Sequence, residues 1–169
     1  AFALLLYALT FNLRDRVART FSIIMVCLVI VFSMESFGGT SQDPTMVDLW
    51  LRLQWVGIIL LPASYLHFSD SLLATTGQPS RWRRKWAVRF AYSFSVILIA
   101  LVFTPWFLGD LILDQPPAPH FTSTLLTEIF TFYYLVILVL SWVNFVRAFK
   151  RTLTTTSKRR MLYLILSSI

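Results

Sequence analysis

Charge is scarce in this sequence. Only 14% of the 169 residues are charged and 57% are hydrophobic, whereas soluble domains carry about 25% charged and 45–50% apolar residues. A mean hydropathy of +0.69 points the same way, so a soluble domain is excluded and an integral membrane protein is expected. The single cysteine, Cys27, excludes an intrachain disulfide. No Cys-x-x-Cys pair and no zinc-ligand spacing exists, and Cys27, inside an apolar run, reads as a lipid-facing or buried thiol. Gly-rich phosphate loops, a His-Glu-x-x-His pair and a Ser-His-Asp set at credible depth are all missing. Nothing in the sequence therefore supports catalysis by this chain, and no cofactor or metal is called for. The 5 glycines form no G-x-x-x-G pair. The opening "AFALLLYALTFNL" has no basic region ahead of it, so it does not read as a signal peptide.

Long apolar runs are what the chain has in quantity. Six are legible, near 1–13, 20–37, 49–73, 86–108, 122–146 and 161–169. At 1.5 Å per residue the first reaches only about 20 Å across a hydrocarbon core of about 30 Å. The last, "MLYLILSSI", is shorter still. The fold expected is an all-α polytopic transmembrane helix bundle, a single domain over 1–169 with about six spans, the first and last truncated in a fragment of a longer chain. Helical periodicity is weak because each run is apolar nearly all round, as lipid-solvated helices are. Pro62 and Pro105 fall inside expected spans, where a missing N–H permits a kink. No internal repeat is evident, which weighs against a transporter built from inverted halves.

The connectors alternate in charge. "NLRDRVART", "GQPSRWRRKWAVR" and "RAFKRTLTTTSKRR" hold every Lys and Arg of the chain except Arg52. "GGTSQDPTMVD" and "GDLILDQPPAPHF" hold none, and carry Asp43, Asp48, Asp110 and Asp114 instead. By the positive-inside rule the basic connectors are cytoplasmic and the acidic ones external. The net charge of +7 thus reads as a partner for anionic inner-leaflet lipids rather than for nucleic acid. Trp50 and Trp106 mark the outer interface; Trp82, Trp86 and Trp142 mark the inner one.

This threading assigns depth to the polar residues inside the spans. Arg52 lies about a turn below the outer surface, while His67 and Asp70 approach the inner one. Arg52 and Asp70 share a helical face five turns apart, too far to pair. Two acidic residues on the outer side, Glu35 and Glu128, are the expected partners for Arg52. Thr124, Thr127, Glu128 and Thr131 recur at i, i+3, i+4 and i+7, a polar stripe with Tyr134 at its edge. A stripe facing lipid would be wasteful, so a ligand-binding site in the outer third of the bundle is expected from Arg52, Glu35, Glu128, Thr124, Thr127, Thr131 and Tyr134. Snorkelling of Arg52 and Glu35 to the headgroups, with Glu128 joining helices, is the plainer alternative. At the inner end His67 and Asp70 stand at i, i+3 and form a candidate proton-sensitive switch. The plainer alternative there is an Asp70 that anchors the Arg and Lys of the following connector. A bis-histidine haem within the chain is disfavoured, because the other histidine, His120, belongs to an outer connector.

An outward amino end, short connectors and a third span reading "LWLRLQWVGIILLPASYLHFSDSLL" followed by Gly77 resemble the amino-terminal seven-helix sensor region of bacterial membrane histidine kinases. The "RLQWVGIILLP" core is the most similar part. The resemblance implies that the chain covers most of helix one through the start of helix six. It implies a bacterial cytoplasmic-membrane protein of a two-component system, with kinase activity belonging to a phosphoacceptor histidine and an ATP-binding domain that this chain lacks. It also implies a sensory input: a small ligand or a membrane state shifts helix packing, and the last helix passes the shift to a cytoplasmic output domain. A homodimer is the assembly that goes with signalling. The competing readings are an accessory or scaffold subunit of an energy-transducing membrane complex, in contact with lipid, quinone or pigment, and a small transporter.

Overall fold

The computed structural model describes residues 15–76, 82–112 and 119–151. Four long helices make up most of them: α1 (Arg16–Thr40), α2 (Pro44–Thr75), α3 (Trp82–Val102) and α4 (Leu125–Arg151). Two-residue strands β1 (Leu111–Ile112) and β2 (His120–Phe121) pair antiparallel between α3 and α4. The helix starts follow local chemistry. Asp15 caps α1 by accepting from the Val17 N–H, and Asp43 caps α2 by accepting from Thr45, with Pro44 in the first turn where its missing N–H costs nothing. A three-residue connector between Thr40 and Pro44 makes α1 and α2 an antiparallel hairpin.

All four helices are long and apolar enough to cross a membrane. Their exteriors are apolar, unlike those of a soluble bundle, and their interiors mix apolar side chains with small polar ones. Phe32, Phe90, Val96, Ile97, Phe132, Leu135 and Val139 are exposed, while Ser64, Ser69, Ser95, Ser141 and Asn144 are buried. Large apolar side chains face outward because lipid is their solvent. Of the small polar ones that face inward, Ser64, Ser69 and Ser141 donate to carbonyls of their own helices, and Ser95 and Asn144 bond to α2. The first and last expected spans lie outside the described residues, and the other four correspond to these four helices. The terminus of α3 differs from the sequence expectation, which carries that span to Leu108. The helix stops at Val102, three residues before Pro105. Thr104 closes the end by bonding the Leu101 carbonyl through both its N–H and its hydroxyl. Proline disfavours helical backbone in the residue before it, and Phe107 and Leu108 fold back into the core, fully buried.

Helix α2 is the hub. α1, α3 and α4 each pack principally against it. Its interior Pro62 does not end it: the helix continues for 13 residues to Thr75. At 32 residues it is about 48 Å long, more than the hydrocarbon thickness of about 30 Å, so its charged ends reach the interfaces. Polar ties run from it to its neighbours. The Ser95 hydroxyl of α3 donates to the Ile59 carbonyl at 2.9 Å, and the Asn144 amide of α4 donates to the Ser69 hydroxyl at 3.1 Å. Helices α3 and α4 also touch directly, where Tyr133 donates to the Ala91 carbonyl at 3.2 Å and its ring meets Phe94.

The α1–α2 contact depends on Gly57. A Cβ at this position would stand 2.8 Å from both the Cys27 carbonyl oxygen and Val31 Cγ2. Alanine is the better helix former by about 1 kcal/mol, but overpacking against a backbone atom costs typically 1–3 kcal/mol. The clash wins. Gly57→Ala is expected to lower the thermal midpoint in detergent, whereas Gly39→Ala, with open space around it, is expected to raise it or leave it unchanged.

Candidate functional site

Chemistry-bearing residues gather at the two ends of α2. At the acidic-connector end, Arg52 Nε donates to Asp48 Oδ2 at 2.8 Å, one turn earlier on the same helix. Its Nη1 donates to the Val102 carbonyl at 2.7 Å. Val102 is the last residue of α3, so Arg52 supplies from a neighbouring helix the cation that a C-terminal carbonyl attracts. The guanidinium also lies over the Phe121 ring, 5.0 Å from its centre. The sequence-based pairing of Arg52 with Glu35 or Glu128 is corrected here. Asp48 takes that role because an i, i+4 spacing already brings a carboxylate to the guanidinium without any interhelical reach. Glu35 and Glu128 are exposed.

Beyond Phe121 lies a pocket of about 230 Å³. Trp55, Leu108 and Phe121 give it apolar walls, and Thr127, Glu128 and Thr131 line it from α4. Three of the four stripe residues thus face one cavity. Thr124 serves the helix start instead. Its hydroxyl accepts from the Thr127 N–H and donates to the Phe107 carbonyl, while its own N–H donates to Thr127 Oγ1. This reciprocal arrangement is of the capping-box kind. Glu128 stands in the first turn of α4, where a carboxylate complements the helix dipole. Tyr134 packs edge-on against Phe130 and joins the apolar core beside the pocket.

At the basic-connector end, Asp70 is buried with 2% of its side chain exposed. Its Oδ1 faces Arg84 Nη1 of α3 at 3.4 Å, and its Oδ2 faces Arg16 Nη2 of α1 at 3.5 Å. Neither α1 nor α3 has an acidic residue in its first turn, so α2 provides the counter-charge for both basic helix starts. His67, one turn earlier, places Nδ1 3.4 Å from the Tyr92 hydroxyl with the two rings edge to face. His67, Asp70 and Tyr92 border a second cavity of about 620 Å³. Among the described residues, no group of three or more His, Cys, Asp or Glu side chains could hold a metal ion.

The sequence expectation that Asp70 anchors a cation of the following connector matches Arg84. The parts it misses are Arg16, Tyr92, Trp55, Phe121 and Asn144. Of these only Asn144 leaves a mark in sequence, as an amide inside an apolar run; the others depend on which helices become neighbours.

Removing one partner of a buried ion pair costs about 3–5 kcal/mol, because the other charge stays behind, whereas exposed pairs contribute about 0–1 kcal/mol. Arg84 is 17% exposed and Arg16 is 47% exposed. Asp70→Ala is therefore expected to destabilise the bundle far more than Arg16→Gln does, measured by thermal melting in the same detergent. Equal losses would contradict the clamp.

A family model for the N-terminal 7TM region of histidine kinase matches residues 1–169. No curated protein and no solved structure matches the chain. Four helices among the described residues are long and apolar enough to cross a membrane, and the match covers every residue: the chain belongs to the family of N-terminal seven-transmembrane regions of histidine kinases.

Proposed function

We propose that the chain is the sensory input region of a bacterial two-component histidine kinase, with its basic end in the cytoplasm and its acidic end outside. The positive-inside rule supports this orientation. Arg16, Arg84, Lys85 and Arg89 stand at one end of the bundle with Asp70, and Asp48 lies at the other.

The observation that carries the reading is the shared Phe121. This ring forms a wall of the Thr127–Glu128–Thr131 pocket and also carries the Arg52 guanidinium. A small ligand entering from outside, with groups that hydrogen-bond threonine and a carboxylate, displaces Phe121. That displacement disturbs the tie from Arg52 to the end of α3. Helix α2 runs from this tie to the Asp70 clamp, which joins the starts of α1 and α3 at the cytoplasmic end. A shift of about 1–2 Å between packed helices is the usual scale of such transitions, and a few kcal/mol between two packings is enough to switch output.

Two experiments test the reading. With Cys27 buried, single cysteines at Gln42 and at Arg83 report orientation. An impermeant maleimide is expected to label Gln42→Cys in intact cells and Arg83→Cys only after permeabilisation; the reverse order contradicts the topology. For the relay, autophosphorylation of the intact kinase in membrane vesicles is expected to change about fivefold or more in Arg52→Gln and in Glu128→Gln, the lower end of ordinary allosteric coupling. Unchanged phosphorylation at normal protein level counts against a sensory role for the pocket.

A further inference from the structure

The larger cavity has a composition that the sensory reading does not use. Lys85, Arg89 and Arg16 supply three cations to its lining, against one carboxylate, Asp70. That carboxylate is already answered within the protein, held between Arg16 and Arg84. Among the described residues no carboxylate stands within ion-pair distance of Lys85 or Arg89. Both are exposed, and the Arg89 guanidinium lies 5.7 Å from the centre of the Trp86 ring. The cavity therefore has cationic capacity left over.

Its shape is graded as well. The lining on α3 begins at Lys85, in the first turn, and continues through Val88 and Arg89 to Tyr92 and Ser93. At 1.5 Å per residue that is about 12 Å along the helix, from the interface towards the hydrocarbon. Cations lie at the shallow part, and Trp86, Val88 and the Tyr92 ring provide apolar wall alongside and below them. A small hydrated anion needs no such wall. A phosphodiester attached to glycerol and acyl chains does, and basic pockets between transmembrane helices are suited to such headgroups. A cavity of about 620 Å³ also falls in the size range of small-molecule sites.

We propose that this cavity is a binding site for the phosphate-bearing headgroup of an anionic phospholipid, held by Lys85 and Arg89 with Arg16, its glycerol end laid against Trp86, Val88 and Tyr92. The site is independent of the signalling reading: it concerns lipid selectivity, which a silent kinase output leaves intact.

The test is native mass spectrometry of the intact protein released from nanodiscs of phosphatidylcholine containing a minority of phosphatidylglycerol. Retained phosphatidylglycerol is expected to exceed its share of the bilayer. Lys85→Gln and Arg89→Gln are each expected to lower that retention about fivefold, the weight of one cation near an anionic headgroup, and Lys85→Arg is expected to keep it. Lys150→Gln, which removes an exposed cation of α4 outside the cavity, is expected to leave it unchanged. Millimolar inorganic phosphate is expected not to displace the lipid. An equal loss in Lys150→Gln would mean diffuse attraction to the basic surface and overturn the site. So would unchanged retention in both cavity variants, and displacement by inorganic phosphate would reassign the cavity to a free anion.

Discussion

A membrane helix that carries charge at both ends must answer that charge from its neighbours, and α2 does so in two directions. Arg52 and Asp70 are 18 residues apart, about 27 Å along the axis, close to the hydrocarbon thickness of about 30 Å. Each charge sits near an end of the span, where protein groups answer it. Arg52 closes the C-terminus of α3, and Asp70 neutralises the arginines at the starts of α1 and α3. The length of α2 and the spacing of these two residues therefore set the register of α1 and α3 against it. Ser95, Asn144 and Gly57 then refine the packing between the two charged ends.

Much of this is legible in the amino-acid sequence. Apolar runs locate the helices, because a hydrocarbon solvent allows few alternatives to a helix once about 20 apolar residues follow one another. The alternation of basic and acidic connectors pairs the right ends: Arg16, Arg84 and Asp70 meet at one end, and Arg52, Asp48 and Val102 at the other. The helical spacing of Thr127, Glu128 and Thr131 anticipates a shared face, and these three do border one pocket.

Sequence spacing does not convey adjacency between helices. Depth alone points to Glu35 and Glu128 as partners for Arg52 and passes over Asp48 one turn away. Hydropathy alone extends α3 through Pro105, although the backbone turns at Thr104 and sends Phe107 and Leu108 inward. Phe121 enters no sequence argument, yet it touches both Arg52 and the pocket. An aromatic in a connector carries no periodic signal, and its position is set by the β1–β2 pairing. Thr124 shows the converse. It belongs to the stripe by spacing, but the unsatisfied N–H groups at the start of α4 claim it as a cap.

The two cavities divide the molecule's chemistry by end. The one at the Arg52 end is small, flanked by threonine hydroxyls and a carboxylate; the one at the Asp70 end is larger and cationic. In the proposed relay the clamp at Asp70 is the step through which α2 moves its neighbours, so the effect of a change at Arg52 must pass through it. Autophosphorylation of the intact kinase measured for Arg52→Gln in the parent and again in an Asp70→Asn background tests this most directly. Arg52→Gln is expected to alter output in the parent and to have no further effect once Asp70 is neutralised. The same proportional change in both backgrounds, as distant independent sites give, would contradict it.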